Sequence, residues 1–244
     1  MLIGKVFYLV KEKREKLFFN HAIHESVPFG ILLAIVGGFL DAYTFIGRGG
    51  VFANAQTGNI VLLGIYASKK EWRQALIHVP PILAFIVGVI VAEWIRNKQS
   101  CLFLQDWPQT ILTLEIIVLI IIGFIPDTIP NIVVTVTVSF VASIQSTSFR
   151  KLVDSPYATT MSTGNLRTAS QAAYIAFSKK DHESAIRAVR FFTVILSFIL
   201  GAFLGGLSTL AMGVKAIWVA SIILVCSAIL FSIGKQKNKC ESDK

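Results

Sequence analysis

A chain of 244 residues that is 54% hydrophobic and only 15% charged carries too few charges to cover a soluble domain of that size, whose charged share is about a quarter. Its apolar residues come in runs close to the ~20 needed to cross a bilayer, which makes it a polytopic membrane protein in contact with lipid. The net charge of +9 lies mostly outside those runs, as basic flanks do, and this argues against nucleic acid as a partner.

In chain order, residues 1–27 open with "MLIGKVFYLVKEKREKLFFN". Basic and apolar residues alternate there, without a contiguous apolar core before a small-residue cleavage site, so the stretch reads as a basic tail or interfacial helix. Hydropathy and length then predict six spans, at 28–46, 77–95, 110–125, 131–149, 191–210 and 214–233. Pro80 and Pro81 predict a kink or a late helix start in the second. Residues 234–244 form a basic tail with Lys235, Lys237, Lys239 and Lys244. Positive charge at both ends places both termini in the cytoplasm.

Two polar stretches interrupt this pattern. "VFANAQTGNIVLLG" (51–64) follows the first span, and "ATTMSTGNLRT" (158–168) follows the fourth. They belong to a longer internal similarity. "LDAYTF" matches "IQSTSF", "KKEWRQAL" matches "KKDHESAI", and "AFIVGVIVA" matches "SFILGAFLG", all in the same order. The chain therefore reads as two sequence-related halves, 28–125 and 131–233. The fold class that follows is an all-α bundle of six clear spans plus two broken or re-entrant elements. Re-entrant stretches would invert the halves and crossing stretches would make them parallel; basic-residue counts leave both open.

Irregular backbone survives at membrane depth only inside protein or beside a water-filled cavity. The TGN triplets look like helix starts, with helices expected over 59–67 and 165–177. Free N–H groups at such starts favour an anion or a polar oxygen. The candidate solute-binding residues are Asn54, Gln56, Thr57, Gly58 and Asn59 from one stretch, and Thr160, Ser162, Thr163, Gly164 and Asn165 from the other. Asp41 and Arg167 join them as charges within the membrane, with the repeat counterparts Gln145 and Val61. Asp41 and Arg167 can pair, or one of them can bind a proton or an anionic solute. The same polar residues can alternatively serve as glue between packed helices. Glu93 and Glu115 read as span-end residues near water.

The run "GGFLDAYTFIGRGGVFANAQTGNIVLLG" with "YATTMSTGNLRT" resembles the YoaK-like family of bacterial membrane proteins. That resemblance implies an inner-membrane protein usually drawn with six spans and carries no biochemical activity. HExxH, GxSxG and the phosphate loop are missing from the sequence, and Cys101, Cys226 and Cys240 lack metal-ligand spacing, so neither an enzyme nor a cofactor is expected. The function expected is secondary transport of a small polar or anionic solute, with proton coupling through Asp41 as an option. A non-transporting scaffold or lipid-interacting protein is the alternative. Glycine-rich faces are compatible with a homo-oligomer.

Overall fold

The computed structural model describes residues 25–98, 107–153, 155–157 and 162–242. The expected N-terminal tail or interfacial helix lies outside them, apart from its last three residues. The chain folds into helices α1 (Val27–Gly47), α2 (Gln56–Ser68), α3 (Trp72–Leu76), α4 (Val79–Lys98), α5 (Trp107–Gly123), α6 (Asn131–Ser148), α7 (Ser162–Lys179), α8 (His182–Met212) and α9 (Ile217–Ser242). A two-residue antiparallel hairpin, β1 (Lys151–Leu152) with β2 (Ser155–Pro156), lies between α6 and α7.

Four stretches are long and apolar enough to cross a membrane: Val27–Gly47, Trp72–Lys98, Asn131–Ser148 and His182–Ile233. The last of these holds both α8 and most of α9, joined by the 3-10 turn Gly213–Ala216. Helix α5 is apolar but only 17 residues long, short of the ~20 expected for a span. Proline at the first turn of α1 costs no hydrogen bond and presets the helical φ. The expected disturbance at Pro80 and Pro81 is a late start, because α4 begins at Val79.

Side-chain contacts fix the direction of each long helix. Val153 N–H donates to Glu25 C=O at 2.7 Å, and the Phe29 and Phe149 rings lie 5.1 Å apart. At the other end of the same pair Arg48 lies 3.9 Å from Asp127. Helix α6 therefore runs antiparallel to α1. Helix α8 runs parallel to α1, with Gly201 against the Ile35 carbonyl, Gly205 against that of Phe39, and Thr209 against Gly47. Helix α4 runs parallel to α6, since Gly88 meets Phe140 and Ser143 while Glu93 pairs with Arg150. Trp107 Nε1 donates to Ser148 Oγ at 3.1 Å, which sets α5 antiparallel to α6. Tyr43 donates its hydroxyl to the Val214 carbonyl at 3.1 Å and Phe29 meets Phe231 at 6.1 Å, so α9 opposes α1. Helices α1, α5 and α8 thus start at one face, here the near face, and α4, α6 and α9 start at the far face.

Two turns share a rare conformation. Lys70 after α2 and Lys180 after α7 both adopt left-handed backbone, with φ of 61° and 53°. Each ends a helix and reverses the chain into the next one. Asp181 then caps α8 by accepting from the N–H groups of Glu183 and Ser184. The Ser184 hydroxyl, with those amides, holds its carboxyl below the usual carboxylate range.

The closest helix crossing generates a test. A Cβ on Gly201 would collide with the backbone of Ile35, whereas one on Gly206 would meet only a side-chain methyl at 3.5 Å. Gly201→Ala should therefore lower the thermal unfolding midpoint in detergent by the equivalent of about 1–3 kcal/mol, and Gly206→Ala should leave it within ~0.5 kcal/mol of wild type. Equal midpoints would contradict the tight crossing.

Candidate functional site

Both polar stretches turn the chain back into the bundle. After α1, Gly49 and Gly50 adopt φ of 90° and 79°, values glycine reaches without steric cost. Residues 51–55 then run back alongside α1. Thr44 Oγ1 accepts from Ala53 N–H at 3.1 Å, and Asp41 Oδ1 accepts from Asn54 N–H at 2.7 Å and Ala55 N–H at 3.3 Å. Asn54 Nδ2 donates to the Gly37 carbonyl at 3.1 Å. Gly37 lies about ten residues before the end of α1, or ~15 Å along its axis, so the extended segment reaches deep into the bundle. Helix α2 starts there and returns to the far face.

Helix α2 begins at Gln56, not at Asn59, with Ala55 as its uncapped N-cap. Asn59 holds the extended segment instead. Its Oδ1 accepts from Phe52 N–H at 3.0 Å, and its Nδ2 donates to Phe52 C=O at 2.8 Å and to Gln56 Oε1 at 2.9 Å. His78 Nδ1 lies 3.3 Å from the same Oδ1. Gly58 lies beneath the Phe52 ring, where a Cβ would come within 2.8 Å. Within the first TGN triplet, Asn59 is buried and Thr57 is exposed.

The second stretch is built from the other side. Helix α6 ends beside the start of α1, and Tyr157 donates its hydroxyl to the Gly30 carbonyl at 3.0 Å. Helix α7 begins at Ser162, three residues before the expected start, and returns to the near face. Thr160 lies outside the described residues. Thr163, Gly164 and Arg167 are exposed and Asn165 is buried.

The two helix starts open on one cavity of about 980 Å³. Asp41, Asn54, Gln56 and Thr57 line it from the first half, and Ser162, Thr163, Gly164, Asn165 and Arg167 from the second, with Thr168 and Gln171 beyond them. Phe45, Phe52, Tyr157 and Phe198 supply aromatic wall, and the Phe45 and Phe52 rings stack at 4.6 Å. Asn54 Oδ1 is buried without a hydrogen-bond partner. The N-terminal ends of two helices and the Arg167 guanidinium, with their positive partial and full charges, make the cavity suited to an anion or a polar oxygen.

Three sequence candidates lie elsewhere. Gly58 and Asn59 hold the backbone, and Gln145 faces away, donating to Glu115 Oε2 at 2.7 Å. Asp41 and Arg167 line the same cavity without forming an ion pair, because the carboxylate is committed to the amides of the extended segment. Glu115 is not near water; it is 1% exposed, in the interface of α5 with α6. Glu93 does lie at a helix end, paired with Arg96 at 2.7 Å and with Arg150.

Sequence reasoning also passes over Arg48, which looks like a loop cation. It is 1% exposed, and its Nε donates to the Tyr43 hydroxyl at 3.0 Å. Its one signal is its position between α1 and the glycine pair that returns the chain. Among the described residues no group of three or more His, Cys, Asp or Glu side chains gathers as a metal site would.

These features define an integral membrane helical protein with two helix starts opening on one cavity. The chain belongs to the family described as "Protein of unknown function (DUF1275)", which matches residues 29–230. It is similar to the UPF0700 transmembrane protein YoaK of Bacillus subtilis (strain 168), at 27% identity over 202 residues covering 79% of this chain and 88% of that protein. No solved structure matches the chain.

The Asp41 arrangement is testable through stability. Asp41→Ala leaves the buried Asn54 amide and the half-buried Ala55 amide without their acceptor and should cost about 2–3 kcal/mol, read as a lower unfolding midpoint. Asp41→Asn keeps an acceptor oxygen and should lose less. Identical losses in the two variants would mean that the carboxylate does not hold the segment.

Proposed function

We propose that this protein is a secondary transporter of a small polar or anionic solute, and not an enzyme, built from two inverted halves of three spans with one re-entrant element each. The convergence of the α2 and α7 starts, approaching from opposite faces, on one cavity carries the reading. In transporters with inverted repeats, half-helix starts of this kind bind anionic groups near the bilayer midplane.

Several features support the halves. The long helices alternate in direction along the chain, so the second set of three runs opposite to the first. Gly88 and Gly201 occupy matching positions in "AFIVGVIVA" and "SFILGAFLG", and each is the tight point of a parallel crossing, α4 on α6 and α8 on α1. The left-handed residues Lys70 and Lys180 are the matching second lysines of the two KK pairs. On this reading α5 completes a sixth span by tilting little or thinning the bilayer.

The near face carries Arg96, Lys98, Arg150, Lys151, Lys179 and Lys180, and α9 ends there. The far face carries Lys69, Lys70, Arg73 and Lys215, since Arg48 is buried. That imbalance supports a cytoplasmic near face. Asp41, buried and without a cationic partner among the described residues, would serve as the proton carrier where transport is proton-coupled.

The test is solute uptake by the purified full chain in proteoliposomes, across inorganic anions, organic acids, amino acids and nucleobases. Arg167 is exposed, so Arg167→Gln should keep the fold. At least one anion should enter faster than in empty liposomes, with Arg167→Gln reducing that rate about tenfold or more. The same anion at ~100 times its dissociation constant should stabilise the wild type by about 2.7 kcal/mol. No uptake and no stabilisation for any solute would overturn the reading.

A further inference from the structure

The exposed faces of α2 and α7 occupy matching positions in the internal similarity and differ in character. Counting from the two TGN triplets, Val61 corresponds to Arg167, Gly64 to Ser170 and Ile65 to Gln171. All six are exposed. On α2 the face is apolar, with Val61 and Ile65 at 54% and 43% exposure, and suits lipid. On α7 the same face is a polar line, Thr163, Arg167, Gln171, Tyr174 and Ser178, at the spacing of one side of a helix.

Such a line is costly against hydrocarbon and is kept where it meets water or protein. At its inner end Thr163, Arg167 and Gln171 line the cavity. Its outer end is Ser178, ~22 Å further along the helix, beside the near face.

We infer that the route to the cavity runs along α7 from the near face, that it selects anions through Arg167, and that α2, apolar at the matching positions, offers no such route from the far face. The inference rests on the transporter reading and adds a route, a side and a charge preference. Duplication makes two similar half-helices, and substitution on one of them converts a lipid face into an aqueous one.

Single cysteines test it, at Gln171, Ser178 and Ile65, in the full chain with Cys101, Cys226 and Cys240 changed to serine. Membrane vesicles of each orientation are treated with membrane-impermeant thiol reagents, one a sulfonate anion and one a trimethylammonium cation. Gln171→Cys and Ser178→Cys should react from the near face only, and Ile65→Cys from neither. At Gln171→Cys the anionic reagent should be favoured about fivefold relative to the cationic one, as one nearby unit charge in water would give. Adding Arg167→Gln should abolish that preference.

Reaction at Gln171→Cys from the far face, equal reaction at Ile65→Cys, or no charge preference would overturn the inference. So would silence at Gln171→Cys from both faces, the result expected if a second copy covers α7. Vesicles that take up anions while Gln171→Cys stays silent would retain the transporter and lose this route. Labelling as expected without any uptake would retain the aqueous path and lose the transporter.

Discussion

The architecture depends on how a few residues of extended backbone are kept from facing lipid without partners. Residues 51–55 lie deep in the bundle, where each unsatisfied amide costs several kcal/mol. Helix α1 supplies the partners from one side of its surface, through Thr44 Oγ1, Asp41 Oδ1 and the Gly37 carbonyl. Asn59 closes the segment from the other side by pairing both polar groups of Phe52. With these bonds made, the start of α2 can stand in the interior beside the cavity. Without them the stretch would be an ordinary loop at the far face.

The second requirement is close approach. A half-helix from each face can reach a common centre only if the long helices framing it leave room, and the α1–α8 crossing is drawn tight by glycine. Gly38, Gly201 and Gly205 each sit against the backbone of the opposite helix. Contacts of that kind replace the hydrophobic effect as the source of cohesion inside a bilayer. Phe45 and Phe198 then turn outward from the same two helices to wall the cavity.

Much of this is legible in the residues. Long apolar runs give the helices, and two TGN stretches in matching positions mark the broken elements and most of the cavity lining. What fails is local. Thr57–Asn59 looks like a helix cap, yet Asn59 makes tertiary bonds to Phe52 and the helix starts earlier, at Gln56. Glu115 and Gln145 each look explicable alone, and only the packing of α5 on α6 brings them to 2.7 Å. Arg48 reads as a loop cation because nothing in its neighbours reveals that Tyr43 will bind it inside the bundle. Helix direction is likewise absent from hydropathy, which is even-handed about orientation; it emerges from contacts such as Phe29 with Phe149.

The departures from internal similarity carry the functional argument. Where the halves agree, as at Gly88 and Gly201 or Lys70 and Lys180, the shared residue serves geometry: a crossing or a turn. At two of the places where they differ, charge is involved. Asp41 faces Gln145 across the similarity, and the acid stays with the extended segment while the amide turns to Glu115. Val61 faces Arg167, and one lies on an apolar surface while the other lines the cavity. A scaffold would have no need to make its two halves electrostatically unlike. On the transporter reading proposed above, a site that holds an anion gains from such a difference, because a single cation placed on one side of the cavity gives it a charge preference.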